Sequence, residues 1–283
     1  MRERPRPVDI DRVTLGSTFS DVVTAIRAGD VDAFATLYGA FQPGLGRYLR
    51  YRDSGTATAL ADRVWRDLLV QLGNFAGTEK DFKVLLYAVT MRHCTDAGLP
   101  LNPRHSDHWV LPGNSVDQAV ALLGNVVAPE QGQVVVLRVV GDLDIEETAH
   151  VLRTTSGAVR LAQYRALVTL IHQFSSRRIG PAPSDETLAG FLDVSDPMPN
   201  LVFQGAVPAW QARGAVAPVA RLVATARRRP TEEERAVPPA LTVAVRALGP
   251  DGDAPSLERR GRWSWHPGEL LARHRHLADH DAH

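Results

Sequence analysis

Cysteine is almost absent from this sequence of 283 residues, which contains Cys94 and no other. A single cysteine excludes an intramolecular disulfide bond and a zinc site built from several cysteines of one chain. Long apolar runs are missing too, and the charged, proline-rich first residues are not followed by an apolar segment. Neither a membrane span nor a secretory signal is therefore predicted. We expect a cytoplasmic protein that has no membrane partner.

The sequence has no net charge, because 32 basic side chains balance 32 acidic ones. Only a local cationic surface can therefore indicate nucleic-acid binding. The sequence motifs of catalysis are also missing, since there is no glycine-rich phosphate loop, nucleophile elbow or HExxH sequence. His105 and His108 lie in a predicted loop with no third ligand nearby. His276 and His280 could share a helix face and bind a transition metal weakly, and the alternative for them is a frayed tail. We predict a protein that is not an enzyme and that holds no cofactor and no metal.

The strongest helical pattern lies in residues 115–174. A capping box, in which a side-chain acceptor is followed three residues later by Glu or Gln, occurs twice, at Ser115 with Gln118 and at Asp144 with Glu147. Pro129 suits the first position of a helix, where its missing N–H costs nothing. Together these signals predict four short helices.

The last two of these helices are predicted to be close neighbours. The third runs from Ile145 to Leu152 and the fourth from about Ser156 to Phe174. The turn between them, 153–155, has three residues and ends in a hydroxyl group that can cap the following helix. The predicted arrangement is helix, tight turn, helix.

One side of the fourth helix is apolar and the other is cationic. The apolar stripe consists of residues at three- and four-residue steps, namely Val159, Ala166, Leu167, Leu170 and Phe174. Arg160, Tyr164 and Arg165 lie largely outside that stripe, with no acidic residue among them. A helix-turn-helix protein inserts such a second helix into the major groove, where Arg binds a guanine edge or a phosphate. An ordinary solvated helix has the same pattern, so the residues alone leave both interpretations open.

A longer motif connects this segment with a known family. The sequence P-E-Q-x-x-V-V-x-L-R-V-V-G-D-L-D-I-E-E-T-A-H-V-L, followed by S-G-A-V-R-x-x-x-x-R-A-L, resembles region four of sigma factors of the extracytoplasmic function (ECF) group. Region four is the module that reads the promoter minus-35 element. The resemblance implies that Thr155, Ser156, Arg160 and Arg165 face DNA. The family usually has Gly where Arg153 stands in this sequence.

Residues 17–98 are predicted to form a bundle of three to four helices. Two breaks, Ala28-Gly29-Asp30 and Ser54-Gly55, separate stretches with apolar residues on one helical face. The motif A-I-R-A-G-D-V-D-A-F-A-T-L-Y-x-x-F-x-P-x-L-x-R-Y-L is similar to the opening of sigma region two in the same family. The modules therefore occur in the order that the family would have.

The same resemblance assigns two further sets of residues. The helix within residues 81–96 occupies the place of the helix that binds the minus-10 element, and it offers Lys83, Tyr87, Arg92 and His93 as cations and a stacking platform. Core packing is the alternative for Tyr87. The preceding helix is where the family contacts polymerase, through positions that align with Asp62 and Trp65. Trp65 has the alternatives of a buried core residue or a different interface.

The predicted domain organisation has six parts. They are a disordered leader at 1–16, a sigma-two-like bundle at 17–98, a linker at 99–114, a sigma-four-like helix-turn-helix domain at 115–176, a helical C-terminal extension at 183–250 and a flexible tail at 251–283. The extension contains a third capping box, at Thr231 and Glu234. Its apolar stripes lack a core of their own, so we expect it to pack on the sigma-like modules or on a separate regulator.

The predicted fold class is all-α, and the predicted function is transcription initiation through RNA polymerase core and promoter DNA. We also expect a regulatory contact. It is made with an anti-sigma factor, with another regulatory protein, or within the chain through packing of the extension. Two alternatives stay open: a degenerate sigma-like interaction protein that does not open promoters, and a stand-alone helix-turn-helix regulator. The small set of cations and aromatic residues between 81 and 100 keeps the first alternative open.

Overall fold

The computed structural model of the chain describes residues 15–99, 116–176 and 222–249, with the side chains of 125 and 171–176 left out. Within these ranges the chain forms α-helices, one short 3-10 helix (Gly16–Thr18) and no β-strand. The predicted all-α fold class is thus confirmed. The helices are α1 Phe19–Arg27, α2 Val31–Arg52, α3 Ala57–Leu72, α4 Glu79–Asp96, α5 Val116–Asn125, α6 Pro129–Val139, α7 Ile145–Leu152, α8 Ser156–Ser176, α9 Glu232–Arg235 and α10 Pro239–Arg246.

Helices α1 to α4 form the predicted bundle, and their ends follow the sequence signals. Gly29 adopts a φ of 84°, in the region that glycine enters without steric cost, and so ends the first helix. The Asp30 carboxylate then accepts hydrogen bonds from two N–H groups at the start of α2. Thr78 and Asp81 form a reciprocal capping box at the start of α4. The breaks at 28–30 and 54–55 therefore lie where the sequence predicts them.

The core of the bundle is aromatic. Trp65 is fully buried, and its indole N–H donates to the side-chain oxygen of Gln42 at 2.7 Å. The ring of Trp65 lies 5.0 Å from that of Tyr38 and 5.7 Å from that of Phe34, measured between centroids. Such contacts add stabilisation beyond the burial of apolar area. The apolar faces predicted for these helices all point into this core, through the buried residues Phe34, Leu37, Tyr38, Phe41, Val64, Leu68, Leu72, Phe82, Leu85, Leu86 and Val89.

Helices α5 to α8 form a second group, in which α6, α7 and α8 pack on one another and α5 packs on α6 and α2. The core between α6, α7 and α8 is made by Val134, Ile145, Ala149 and Val159, with Leu152 and Ala162 packed at its edge. The stripe predicted for α8 is confirmed at Val159, Ala166, Leu167 and Leu170, which are all buried.

Residues 222–249 lie against both groups of helices. Residues 222–226 are helical, α9 packs on α2, and α10 packs on α3 and α2. The capping box predicted at Thr231 and Glu234 is present at the start of α9. Pro239 occupies the first turn of α10, where proline is tolerated because the N–H that it lacks would have no helical partner. The buried apolar side chains of this segment are Leu222, Val223, Ala226, Leu241 and Val245.

Several predictions from the sequence lie outside the described residues. They concern most of the leader, the linker, the Ser115 cap, the histidine pairs, the extension before 222 and the tail after 250. Among the described helices, none is both long and apolar enough to cross a membrane. No group of three or more potential metal-ligating side chains occurs in these parts of the chain either. The domain boundaries themselves stay predictions.

Candidate nucleic-acid interface

Helices α7 and α8 have the predicted helix-turn-helix arrangement, with the turn at 153–155. At the start of α7 the Asp144 carboxylate accepts from the Glu147 N–H at 2.8 Å, and Glu147 accepts from the Asp144 N–H at 2.6 Å. Partial burial works to raise the pKa of Asp144, but the hydrogen bonds from the Glu147 N–H and from Lys80 outweigh it and lower that pKa. At the start of α8, the Thr155 hydroxyl accepts from the Ala158 N–H at 3.1 Å. Both caps agree with the sequence prediction.

Arg153 adopts the strained backbone conformation of this turn. It follows α7 with a φ of 53° and a ψ of 46°, which is the left-handed conformation that glycine adopts most readily. Its N–H is bonded to the carbonyl of His150, and the Thr154 N–H to that of Ala149, so the turn closes the helix in the usual way. The turn geometry is thus kept without the glycine that the family usually has there.

The variant Arg153→Gly is expected to be more stable than Arg153→Ala by about 1 kcal/mol, because only glycine adopts this conformation without steric strain. Urea denaturation of the two variants measures this difference directly, since both lack the Arg side chain. Equal unfolding midpoints would show that the turn stores no such strain.

The residues predicted to face the minus-35 element lie on one part of α8 and the preceding turn. Thr155 and Arg165 are exposed, whereas Ser156, Arg160 and Tyr164 are half-buried. The Nε of Arg160 is buried and has no hydrogen-bond partner in the described parts of the chain. The helix is held from behind by Arg138 of α6, whose Nε donates to the Gln163 side chain at 2.9 Å. The described residues of this face thus offer cations and hydroxyl groups on a supported helix.

Helix α4, the place predicted for minus-10 recognition, packs against α7. Lys83 is only 9% exposed, and its ammonium group lies 3.5 Å from the Asp142 carboxylate. Lys80, one turn earlier and largely exposed, pairs with Asp144 at 3.0 Å. This hydrogen bond to Asp144 raises the pKa of Lys80. The start of α4 is therefore joined to the start of α7 by two ion pairs.

Tyr87 lies deeper in the same contact and is 2% exposed. Its ring meets that of Tyr48 edge-on, with the centroids 5.8 Å apart. A Cβ atom added to Gly44 would lie 3.1 Å from the Tyr87 hydroxyl oxygen, and one added to Gly141 would lie 2.9 Å from its Cζ. Burial is the main reason why the pKa of the hydroxyl group is far above its ordinary value of 10.0. In this conformation Tyr87 is part of the core and offers no stacking face to a base.

Arg92 and His93 occupy the second half of α4 and share one partner. The Asp67 carboxylate of α3 lies 2.5 Å from Arg92 Nη2 and 2.9 Å from His93 Nε2. Both side chains are only partly buried. Of the four residues predicted for the minus-10 element, this pair is thus the more accessible one.

The two residues predicted to contact polymerase differ in accessibility. Asp62 is partly exposed on α3, whereas Trp65 is fully buried in the bundle core. Among the alternatives for Trp65, a core residue describes its place in this structure. The polymerase-binding and DNA-binding assignments of all these residues stay predictions.

Several residues that organise these surfaces could not be singled out from the sequence. Asp67 and Asp142 neutralise cations predicted to bind DNA, and Gly44 and Gly141 allow the backbone to approach Tyr87 closely. Their partners lie tens of residues away along the chain, so no local spacing marks them. A glycine at an otherwise helical position, as at Gly44, is the one local signal of a close approach.

Curated relatives agree with the resemblance found in the sequence. Over 169 residues the chain is 30% identical to the ECF RNA polymerase sigma factor BldN of Streptomyces coelicolor, an alignment that covers 53% of this chain and 63% of BldN. It is 29% identical over 177 residues to the ECF RNA polymerase sigma factor SigD of Mycobacterium tuberculosis, covering 55% of this chain and 83% of SigD. SigD of Mycobacterium bovis matches equally well.

The chain thus spans somewhat less than two thirds of BldN and most of SigD. No protein-family model matches the chain, and no solved structure matches it. The predicted similarity to ECF-group sigma factors is confirmed by these relatives over about half of the chain.

Proposed function

We propose that this chain is a sigma factor of the ECF group, which binds RNA polymerase core and directs it to promoter DNA. The observation that carries the proposal is the helix-turn-helix of α7 and α8, which lies in a segment with the family motif and leaves Arg165 exposed and Arg160 partly so. Arginine on a second helix of this kind binds guanine edges or phosphates in the major groove. The relatives, which are named as RNA polymerase sigma factors, support the same role.

In this proposal the two modules bind different promoter elements. Helix α8 and the turn before it read the minus-35 element with Thr155, Ser156, Arg160, Tyr164 and Arg165, while α4 captures the minus-10 element. Because Lys83 and Tyr87 are covered by the turn before α7, α4 must separate from α7 before they reach DNA. Asp62 on α3 is the proposed polymerase contact. None of these roles requires a chemical step by the protein, in keeping with a protein that is not an enzyme.

Run-off transcription tests this proposal. The chain is mixed with bacterial core RNA polymerase that lacks other sigma factors and with a pool of promoter fragments from the source genome, and the transcripts are sequenced. We expect transcripts whose start sites share an upstream element. The double variant Arg160→Ala/Arg165→Ala should reduce transcript yield at least about tenfold, because each lost base contact costs about 1–3 kcal/mol.

A matched control removes two exposed arginines outside α8, in the variant Arg228→Ala/Arg246→Ala, which should not lower the transcript yield. Polymerase binding without any transcript would identify the chain as a degenerate sigma-like protein. DNA binding that is indifferent to polymerase would identify it as a stand-alone helix-turn-helix regulator.

A further inference from the structure

Residues 222–249, hereafter the C-terminal brace, contact both sigma-like modules at once. On the bundle side, α9 and α10 pack on α2 and α3. On the other side, Arg227 donates from Nε to the carbonyl of Val139 at 3.1 Å and from Nη2 to that of Arg138 at 3.3 Å. These carbonyls belong to the last turn of α6, where a cation also complements the negative end of the helix dipole. The brace therefore spans from the bundle to the helix-turn-helix module.

The deepest contact of the brace is a buried arginine of α2. The side chain of Arg47 is 6% exposed, and its Nε and Nη2 each lie 3.3 Å from the Glu234 carboxylate. Its Nη1 donates to the carbonyl of Ala226 at 3.1 Å. In the described parts of the chain, every hydrogen bond found for Arg47 goes to the brace. A buried guanidinium needs hydrogen-bond partners and a counter-charge, so the buried position of Arg47 on α2 depends on contact with the brace.

The far end of the brace is fitted just as closely. A Cβ atom added to Gly249 would lie 2.9 Å from the carbonyl oxygen of Ala28, in the turn between α1 and α2. Leu241 and Val245 of α10 are fully buried, on the side of the bundle formed by α3 and α2. Helix α3 is the one that carries Asp62, the proposed polymerase contact. The brace thus covers part of the helix that polymerase would have to reach.

We propose that the C-terminal brace is an intramolecular latch, which holds α4 against α7, covers α3 and keeps the chain from polymerase and promoter until it is released. This inference rests on the proposed function and adds its regulation. The latch connects α2 to α6, so it restrains the two modules on either side of the α4–α7 contact. Releasing it frees Lys83 and Tyr87 and uncovers α3 in one step.

A disulfide bond across the latch provides the test. A Cβ atom on Gly39 of α2 would lie 3.8 Å from the Cβ of Arg235 on α9, which is the usual separation in a disulfide. The double variant Gly39→Cys/Arg235→Cys can therefore be oxidised to lock the latch and reduced to restore it. Cys94 does not interfere, since it is fully buried and burial raises the pKa of its thiol.

The measurement is the affinity of the full chain for bacterial core RNA polymerase. We expect the oxidised form to bind at least about 100-fold more weakly than the reduced form of the same protein, a change of about 2.7 kcal/mol. Circular dichroism of both forms verifies that they are folded. A second variant, Gly249→Ala, pushes the end of the brace away from Ala28 and should bind polymerase at least about tenfold more tightly than the parent. Gly55→Ala is its control, because a Cβ there makes only ordinary contacts.

The outcomes separate the two proposals. Equal affinity of the oxidised and reduced forms, or unchanged affinity of Gly249→Ala, would overturn the latch while leaving the sigma function in place. If the reduced protein, the parent and Gly249→Ala all fail to bind polymerase, the proposed function itself is overturned.

Discussion

The variant Gly132→Ala is expected to unfold with a free energy about 3 kcal/mol lower than that of the parent protein, which is the upper end of the usual cost of overpacking. The Cβ atom of alanine would overlap the carbonyl oxygen of Gly124 and lie 3.0 Å from its carbonyl carbon. These atoms belong to the backbone of α5, so they cannot move aside as a side chain would. Gly124 in turn lies against the ring of Tyr51 on α2, which prevents α5 from retreating.

Gly157→Ala is the matched control, because Gly157 also lies in the first turns of a helix but has open space around it. The nearest atom to a Cβ there is the Thr155 hydroxyl oxygen, at 3.9 Å. Alanine in an unstrained helical position is more stable than glycine by about 0.5–1 kcal/mol, so the two variants should change stability in opposite directions. Urea denaturation measures both. Similar unfolding midpoints for the two variants would show that the backbones of α5 and α6 are not in close contact at Gly124 and Gly132.

Local features of this fold could be read from the sequence because their causes lie within a few residues. The capping box of Asp144 and Glu147, the proline at the start of α6 and the capping box of Thr231 and Glu234 each depend on neighbours in the chain, and each is present. The three-residue turn before α8 is also where the pattern predicts it. The apolar stripes were equally predictable, because burial of one helical face follows from its period.

Contacts between distant segments could not be read in this way. Arg47 and Glu234 are separated by 187 residues, and nothing in the spacing of either residue indicates the other. The pairing of Lys83 with Asp142 is hidden for the same reason. A prediction from α4 alone therefore counts Lys83 as an exposed cation and leaves Tyr87 as either a stacking platform or a core residue, whereas the folded chain uses both to join the modules.

The contacts of Lys83 and Tyr87 within the folded chain change the interpretation of the small set of predicted DNA-binding side chains on α4. Taken alone, the helix offers few groups for an exposed strand, which favours a degenerate protein. In the folded chain, Lys83 and Tyr87 are already engaged with the loop before α7, at Asp142 and Gly141. The same groups can serve DNA only when that contact opens. Under the proposed function, an equilibrium between closed and open forms would reconcile the composition of α4 with DNA binding.

The second large effect is expected at the buried ion pair between α2 and α9. Replacing Glu234 by Gln preserves the capping box with Thr231, since Gln also caps at that position, but leaves the Arg47 guanidinium buried without its counter-charge. Breaking one partner of a buried pair costs about 3–5 kcal/mol, and the lower value applies because the Glu234 side chain is 21% exposed. The loss of stability cannot exceed the free energy with which residues 222–249 pack on the rest of the chain. If the cost of the unpaired charge were larger than that, this segment would detach and water would reach Arg47.

A double-mutant cycle with Arg47→Met separates the charge from the packing, because methionine keeps the apolar volume and removes the guanidinium. Once Arg47 is gone, Glu234→Gln loses only the ion pair with the half-buried Arg50, whose Nη2 lies 3.3 Å from the carboxylate, so the two changes should couple by about 2 kcal/mol in urea denaturation. Additive effects would show that the pair does not hold the segment.

The pH dependence of this effect gives an independent test. Partial burial alone would raise the pKa of Glu234, but the hydrogen bonds from Arg47 and from the Thr231 N–H, together with the positive charges of Arg47 and Arg50, outweigh it, and the folded protein holds that pKa below its ordinary value of 4.5. A lowered pKa in the folded state stabilises the protein above the unfolded pKa and is lost as the pH falls through the folded one. The stability difference between the parent and Glu234→Gln should therefore be constant at neutral pH and shrink below pH 4.5. A difference that stayed constant into strong acid would mean that the charge of Glu234 is not what secures α9 to α2.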